Sequence, residues 1–444
     1  MVDSIAEVSG YYPQAMVLTD RSVLLANVLL QSETSSGSTS SGSTSSPGRD
    51  ATVGLSLSKS SSGSTSSGST SSPGRILVNP GNLPGGVVQR EPNSLVVVPA
   101  LVDLFSRSGE PGFEVRETLA SLQKCAQGGG FGRVAVMPYQ GITHVSAVDY
   151  FLSYVPHPFL LWGSLYHREN LCEYADLLEK VVGFAYPEPI GNLLLLRRAL
   201  EYLAPYQKPV LLVPLQAQLA EGVVREGLHA LKLGLGGTPD IAETIAVFSV
   251  LELVRLTRCP VHLLGVSCRG SIALLEQAKN EHLPITASVL WTHLIWHTGH
   301  LDSFSPHLRL LPPLPHPPDQ EELIRAVKNG TIDAIAINHY PYTYEETMLP
   351  IEVAPSGTIG LQFAFPLLWQ QLVTTKKLTP LELLQALRIK PCQILGITPP
   401  DGIFALVPDC SWQLNSKTSL SLAQNTILWG QEIKGYTTPL TTNS

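Results

Sequence analysis

From about residue 95 to residue 397 the chain alternates short apolar runs with stretches of helical periodicity. The apolar runs are "SLVVVPALVDL" (94–104), "RVAVMP" (133–138), "FLLWGSLY" (159–166), "VVGFAY" (181–186), "PVLLVPL" (209–215), "PVHLLGVS" (260–267), "PITASVLW" (284–291) and "DAIAIN" (333–338). Several are continuous rather than alternating, as expected of parallel strands buried on both faces. Helical spacing of apolar positions marks 115–126, 169–180, 192–203, 240–257 and 319–328. The alternation predicts an α/β fold with a parallel sheet. A doubly wound sheet satisfies the periodicity equally, but eight strands over about 250–300 residues favour a (β/α)8 TIM-type barrel. We place that barrel at 96–397. Residues 1–95 and 398–444 are strand-like and short of helix, and are expected to pair into a small β-domain built from both chain ends.

One segment does not fit either unit. "SSGSTSSGSTSSPGR" occurs at 35–49 and again, letter for letter, at 61–75. A Ser/Gly/Thr tract buries too little apolar surface to offset its backbone entropy, so a disordered insert is expected over 34–75. A solenoid would need hydrophobic positions in each repeat, and these copies have none.

Composition narrows the partners. The chain is 44% hydrophobic and only 15% charged, with a formal net charge of -7. Without a basic run, no nucleic-acid footprint is expected. Apolar stretches such as "SVLLANVLL" are too short to span a bilayer, so no membrane association is expected. The first residues show no basic-then-apolar export pattern. Cysteines 125, 172, 259, 268, 392 and 410 are scattered, with no Cys-x-x-Cys pair. That usage argues against a disulfide framework or a thiolate zinc site and fits reduced thiols in a cytoplasm.

Few local patterns carry chemistry. In "GGGFGRVAVMP" (128–138) the order is helix, glycines, strand, the reverse of a dinucleotide fingerprint, so the glycines are read as a helix end. "GLGGTPDIAET" (234–244) precedes a helix, with Thr238 or Asp240 as its cap, and no phosphate-loop lysine follows. His293, His297 and His300 have spacings that fit one helical face, but the glutamate of a His-Glu-x-x-His zinc motif is missing. More telling are the loop "VDLFSRSGEPGFEVRET" (102–118) and the segment "NGTIDAIAINHYPYTYEET" (329–347), at the ends of the first and last barrel strands. Barrel enzymes keep their catalytic groups at that face. Here the last strand tip is Asn338, an amide that can serve neither as a carboxylate base nor as a good metal ligand.

Taken with "GGFGRVAVMP", "VHLLGVS", "LRLLPPLP", "APSGTIGLQ", "KPCQILGI" and "NTILWGQEIKG", these motifs resemble the dihydroorotases of the amidohydrolase superfamily. The likeness runs from about Val97 to Ile397, with 425–435 also matching. The resemblance implies a barrel whose mouth uses zinc-bound hydroxide to open or close the cyclic amide of dihydroorotate. Its scaffold positions are kept at Asp103, Glu110, Pro111 and Gly112. Its two strand-one metal histidines fall on Phe105 and Arg107, and its substrate-binding arginine on Gly109. The substrate-binding asparagine after strand two falls on Tyr139, and the strand-four ligand motif on a segment containing Tyr186 and Glu188. The strand-five and strand-six histidines fall on Pro214 and Gly265, the asparagine before the Pro-Pro pair on Leu311, and the strand-eight aspartate on Asn338.

Zinc needs about three or four N, O or S donors. Phe105, Pro214 and Gly265 have none, and Arg107 adds positive charge where the ion would sit. The expectation is therefore a degenerate dihydroorotase with no metal, no cofactor and no catalytic residue, in which Arg107 and His339 are the candidate ligand-binding groups. The leading reading is a non-catalytic member of pyrimidine biosynthesis. Its partner would be aspartate transcarbamoylase, which the family precedent implies, or a second copy of the chain. The alternatives are an active cyclic amidohydrolase with a rebuilt site, and metal-free binding of a small anion at Arg107.

Overall fold

The computed structural model describes residues 10–31, 75–78, 94–153, 159–168, 170–301 and 304–440. Of the expected insert at 34–75, all but Arg75 lies outside the described residues. Two large sheets organise the chain. In one, strands from both chain ends meet: β1 (Gly10–Leu18), β2 (Val23–Gln31), β3 (Arg75–Val78) and β4 (Val96–Pro99) from the front. In the other, eight parallel strands follow one another in chain order. They are β5 (Leu101–Ser108), β6 (Phe131–Pro138), β7 (Phe159–Ser164), β8 (Gly183–Tyr186), β9 (Val210–Leu212), β10 (Val261–Leu264), β11 (Ile285–Leu290) and β12 (Ala334–Ala336). The end sheet is completed by β13 (Ile403–Gln413) and β14 (Glu432–Leu440), in the order β14-β13-β4-β1-β2-β3.

This is the expected barrel, with one correction at its entrance. The run 94–104 is two strands, not one: β4 pairs with β1 and β13, and β5 opens the barrel. Pro99 has no N–H to continue a ladder, which ends β4 there. Ala100 then donates to the Gly402 carbonyl at 3.0 Å, and Arg388 clamps the Ala100 and Pro400 carbonyls. Residues 96–99 thus belong to the end sheet.

Most predicted helices appear with shifted ends. Leu119–Gly128 starts late because the Thr118 side chain accepts from Ser121 N and caps it. Leu193–Leu203, Ile241–Thr257 and Pro317–Asn329 follow the expected spans. The helix expected at 169–180 shrinks to Tyr174–Leu177, because Tyr166–His167 and Asn170–Leu171 pair as a small hairpin ahead of it. Asp240 precedes Ile241–Thr257 but does not cap it; its carboxylate binds Arg225 at 3.0 Å instead. Among the described residues no helix is long and apolar enough to cross a membrane.

Side chains divide by face. Val102, Leu104, Trp162, Ala185, Leu211, Leu264, Leu290 and Ala336 pack with one another inside the barrel, where Trp162 Nε1 donates to the Leu104 carbonyl at 2.8 Å. Neighbours such as Leu161, Phe184, Leu212, Leu263 and Ile335 pack outward against the helices. Side chains help to close the seam between β12 and β5. Asp103 Oδ1 accepts from Ile337 N at 2.8 Å, and Ser106 donates to Asp103 Oδ2 at 2.6 Å. Arg107 N then reaches the His339 carbonyl at 2.8 Å. Complete burial pushes the Asp103 carboxyl up to about 7, outweighing the hydrogen bonds from Ser106 and Ile337 that favour its ionised form.

Two buried histidines oppose Asp103 as pH changes. His262 sits between the hydroxyls of Thr286 and Ser288, both at 2.9 Å, and His293 Nε2 meets the Pro312 carbonyl at 3.1 Å. Burial, reinforced by Lys279 for His262 and by Arg225 for His293, holds both down at about 3. Between roughly pH 4 and 6 the unfolded chain binds two protons that the folded chain refuses, while folded Asp103 holds one that the unfolded chain has released. Stability therefore falls as pH drops through this window, His262 alone contributing about 1.4 kcal/mol per unit, and His307, held below its ordinary value by burial, acts in the same direction. Urea midpoints across the window should show that fall, and a His262→Gln variant should flatten it. An unchanged slope in the variant would remove His262 as a source.

Candidate functional site

The barrel mouth holds a cavity of about 290 Å³. Its floor and walls come from the ends of β5, β6, β8, β9, β10, β11 and β12 and the loops that follow them. At its centre stands Arg107, only 5% exposed. Its Nε donates to the Tyr340 hydroxyl at 2.7 Å and its Nη1 to the Pro138 carbonyl at 3.0 Å. Nη2 lies 3.7 Å from Glu188, whose side chain reaches solvent. The guanidinium also faces the rings of Phe105, Tyr139 and Tyr340 at 5.6, 5.5 and 5.1 Å. Burial works against its charge, but Tyr340, Glu188 and Tyr139 outweigh that and hold the group above its ordinary value. Arg107 is a fixed cation.

A second arginine closes the rim. Arg116 lies 4.6, 4.4 and 5.1 Å from the ring centres of Phe113, Tyr139 and Tyr342, and its Nε donates to Glu346 at 3.0 Å. Tyr139 in turn donates to the Pro341 carbonyl at 2.5 Å, so rings and guanidinium groups interleave across the mouth. The motifs had assigned no role to Arg116: its carboxylate partner lies 230 residues away, and nothing in either segment announces the pairing.

Each position read from the sequence can now be placed. Arg107, Tyr139, Leu311 and Asn338 line the cavity. Phe105 is fully buried in the barrel interior beneath Arg107. Pro214 is buried beyond the end of β9, and Gly265, at φ +85°, turns the chain after β10. Gly109 sits so tightly that a Cβ would meet the Phe113 and Glu117 backbone, which leaves no room for the family's arginine. Tyr186 does not face the mouth; it lines a separate depression and packs against Tyr166 at 4.8 Å.

His339 requires a correction. It was a candidate ligand-binding group, yet it is buried outside the cavity lining. Its Nδ1 accepts from Gly360 N and Leu361 N at 3.2 and 3.4 Å, leaving Nε2 to donate to Glu117 at 3.3 Å. Both nitrogens are spent holding the loop after β12 to the scaffold. The His293 group is also dispersed: the helix ends at Ile295, and His297 and His300 belong to a separate turn, their rings 4.3 Å apart.

These residues do not fit a zinc ion. The cavity lining has no histidine or cysteine and one carboxylate, Glu188, already drawn toward Arg107. Among the described residues no group of three or more His, Cys, Asp or Glu side chains is placed to hold a metal. The mouth also lacks a base paired with a nucleophile. It does retain binding groups: Asn338 Oδ1 and Thr292 Oγ1 are buried without hydrogen-bond partners and line the cavity. Deeper in the scaffold, Ser267 keeps a structural task. Its N–H and hydroxyl bind Glu243, and Arg225 joins the same buried cluster.

No model of a known protein family matches the chain. Individual relatives do. A probable dihydroorotase-like protein of Synechocystis sp. is 36% identical over 77% of this chain and 87% of its own length. The dihydroorotase of Pelotomaculum thermopropionicum is 32% identical over 77% of this chain and 84% of its own. In three dimensions the chain is similar to the L-hydantoinase (dihydropyrimidinase) of Arthrobacter aurescens, with a TM-score of 0.70, 14% identity, and coverage of 96% of this chain and 93% of that one. At that identity the structural likeness speaks for the fold.

Proposed function

The chain belongs to the dihydroorotase family, and from that premise we propose that it is a non-catalytic member serving pyrimidine biosynthesis through its surface. The observation that carries this reading is Arg107. A guanidinium anchored by Tyr340 and Pro138 and surrounded by three rings occupies a position where the family places a metal histidine. A fixed cation there repels a divalent ion, and hydroxide generation at neutral pH requires that ion. The scaffold motifs meanwhile keep their structural work at Asp103, Glu110 and Ser267.

For the partner, the resemblance points to aspartate transcarbamoylase. A stable complex would bury at least about 1,000 Å². Sizing of the two purified proteins, alone and mixed at micromolar concentration, should give a joint peak. Separate elution, with and without substrates, would contradict the partnership.

The two unpartnered polar atoms that share the cavity with Arg107 favour a second reading, a metal-free site for a small anion. A ligand bringing negative charge to Arg107, a hydrogen-bond donor to Asn338 Oδ1 and a polar atom to Thr292 Oγ1 would satisfy all three. Thermal melts with dihydroorotate, carbamoyl aspartate or inorganic phosphate should then shift upward in proportion to ln(1 + [L]/Kd), and the shift should vanish in Arg107→Met. No shift with any of the three would dismiss this reading.

A further inference from the structure

Residues 186–190 divide two cavities. Pro187 and Glu188 line the mouth, whereas Tyr186 and Ile190 line a second depression of about 330 Å³, slightly larger than the mouth. Its floor is apolar, with Ile190, Leu196 and Leu212. Tyr166 and Tyr186 form one wall, their rings meeting edge to face with centres 4.8 Å apart. Arg168, exposed at the head of the hairpin that pairs Tyr166–His167 with Asn170–Leu171, completes the lining. Among the described residues, neither the two phenol hydroxyls nor the Arg168 guanidinium has a hydrogen-bond or ion-pair partner. Both guanidinium groups of the mouth, by contrast, are bonded within the protein.

We propose that this depression is a second binding site, separate from the mouth, for a small organic acid that carries one carboxylate on a flat apolar body. An arginine offers paired N–H donors that match the two oxygens of a carboxylate. The two phenol hydroxyls add further donors to the same cavity. Burial, reinforced by Tyr186 for Tyr166 and by Glu188 for Tyr186, holds both phenols above their ordinary value, so both keep their protons at neutral pH. Arg168 is the one charged side chain among the described lining residues. A single cation suits a monoanion better than a phosphate dianion, and it repels an ammonium. The ring faces and the leucine floor accept the flat hydrocarbon body that such pockets bury. None of the groups invoked for the mouth takes part.

Binding of para-fluorophenylacetate to the full chain, followed by fluorine NMR, should saturate one site with a Kd on the order of 1 mM or tighter. The neutral para-fluorophenylacetamide lacks the charge-assisted pair and should bind about tenfold more weakly. Arg168 lies at φ +56°, a conformation that asparagine tolerates, so Arg168→Asn removes the charge and keeps the turn. That variant should also weaken the acid about tenfold, Arg168→Lys should restore part of the affinity, and Arg107→Met should leave it unchanged. Absence of a saturable shift in the millimolar range would overturn the proposal, as would equal affinity for acid and amide, or an Arg168→Asn variant that binds like the parent. Binding lost in Arg107→Met but kept in Arg168→Asn would overturn it too, and would place the probe in the mouth.

Discussion

A Gly265→His variant is expected to melt well below the parent protein and to gain no zinc. The substitution restores the residue type that the family carries after the sixth strand, so it probes whether the site is merely missing a ligand. The backbone answers first. Gly265 holds φ +85°, where a β-carbon costs about 1–3 kcal/mol. That carbon would lie 3.0 Å from Pro312 Cδ and 3.2 Å from Leu290 Cγ, and crowding a packed wall adds about 1–3 kcal/mol. The combined loss is about 2–6 kcal/mol. Even a successfully placed imidazole would lack companions, because the other positions the family uses for metal hold donor-less Phe105 and Pro214 and cationic Arg107. Differential scanning calorimetry and elemental analysis on the same preparation check both halves. An unchanged melting temperature together with bound zinc would mean that the loop after β10 had been misjudged.

The same comparison shows what residue type alone conveys. That Phe105, Pro214 and Gly265 cannot bind metal follows from their side chains and needs no coordinates. The strand positions were also legible, because buried parallel strands leave continuous apolar runs. Other features were decided by contacts across long stretches of chain. His339 looked available within its motif, and only its neighbours Gly360 and Glu117 reveal that both ring nitrogens are committed. Asp240 looked like a helix cap until Arg225 claimed its carboxylate. The break at Ala100 depends on pairing with β1 and β13, and β13 lies some three hundred residues further along the chain. The 169–180 segment has helical spacing, but local strand pairing took Asn170 and Leu171 near its start. The interleaved rim of Arg116, Tyr139 and Tyr342 left no local signature.

On the proposed non-catalytic reading, Asp103 and Arg107 carry different tasks in one loop. Asp103 keeps its place because its carboxylate ties β5 to the segment after β12, a task independent of metal. Arg107 places in the mouth a charge that hydrogen bonds and ring faces hold in position. The scaffold contacts of the loop thus rest on Asp103, and the proposed reading assigns the loss of the reaction to other positions of the same loop.

Turnover tests this account most directly. Purified protein, supplied with zinc and assayed for dihydroorotate hydrolysis and for ring closure of carbamoyl aspartate, should show no rate above the uncatalysed one and far less than one zinc per chain after dialysis. Enzymes with an intact mechanism accelerate their reactions by about a million-fold or more, so the two outcomes are far apart. A chelator-sensitive rate, accompanied by stoichiometric metal, would contradict the central claim.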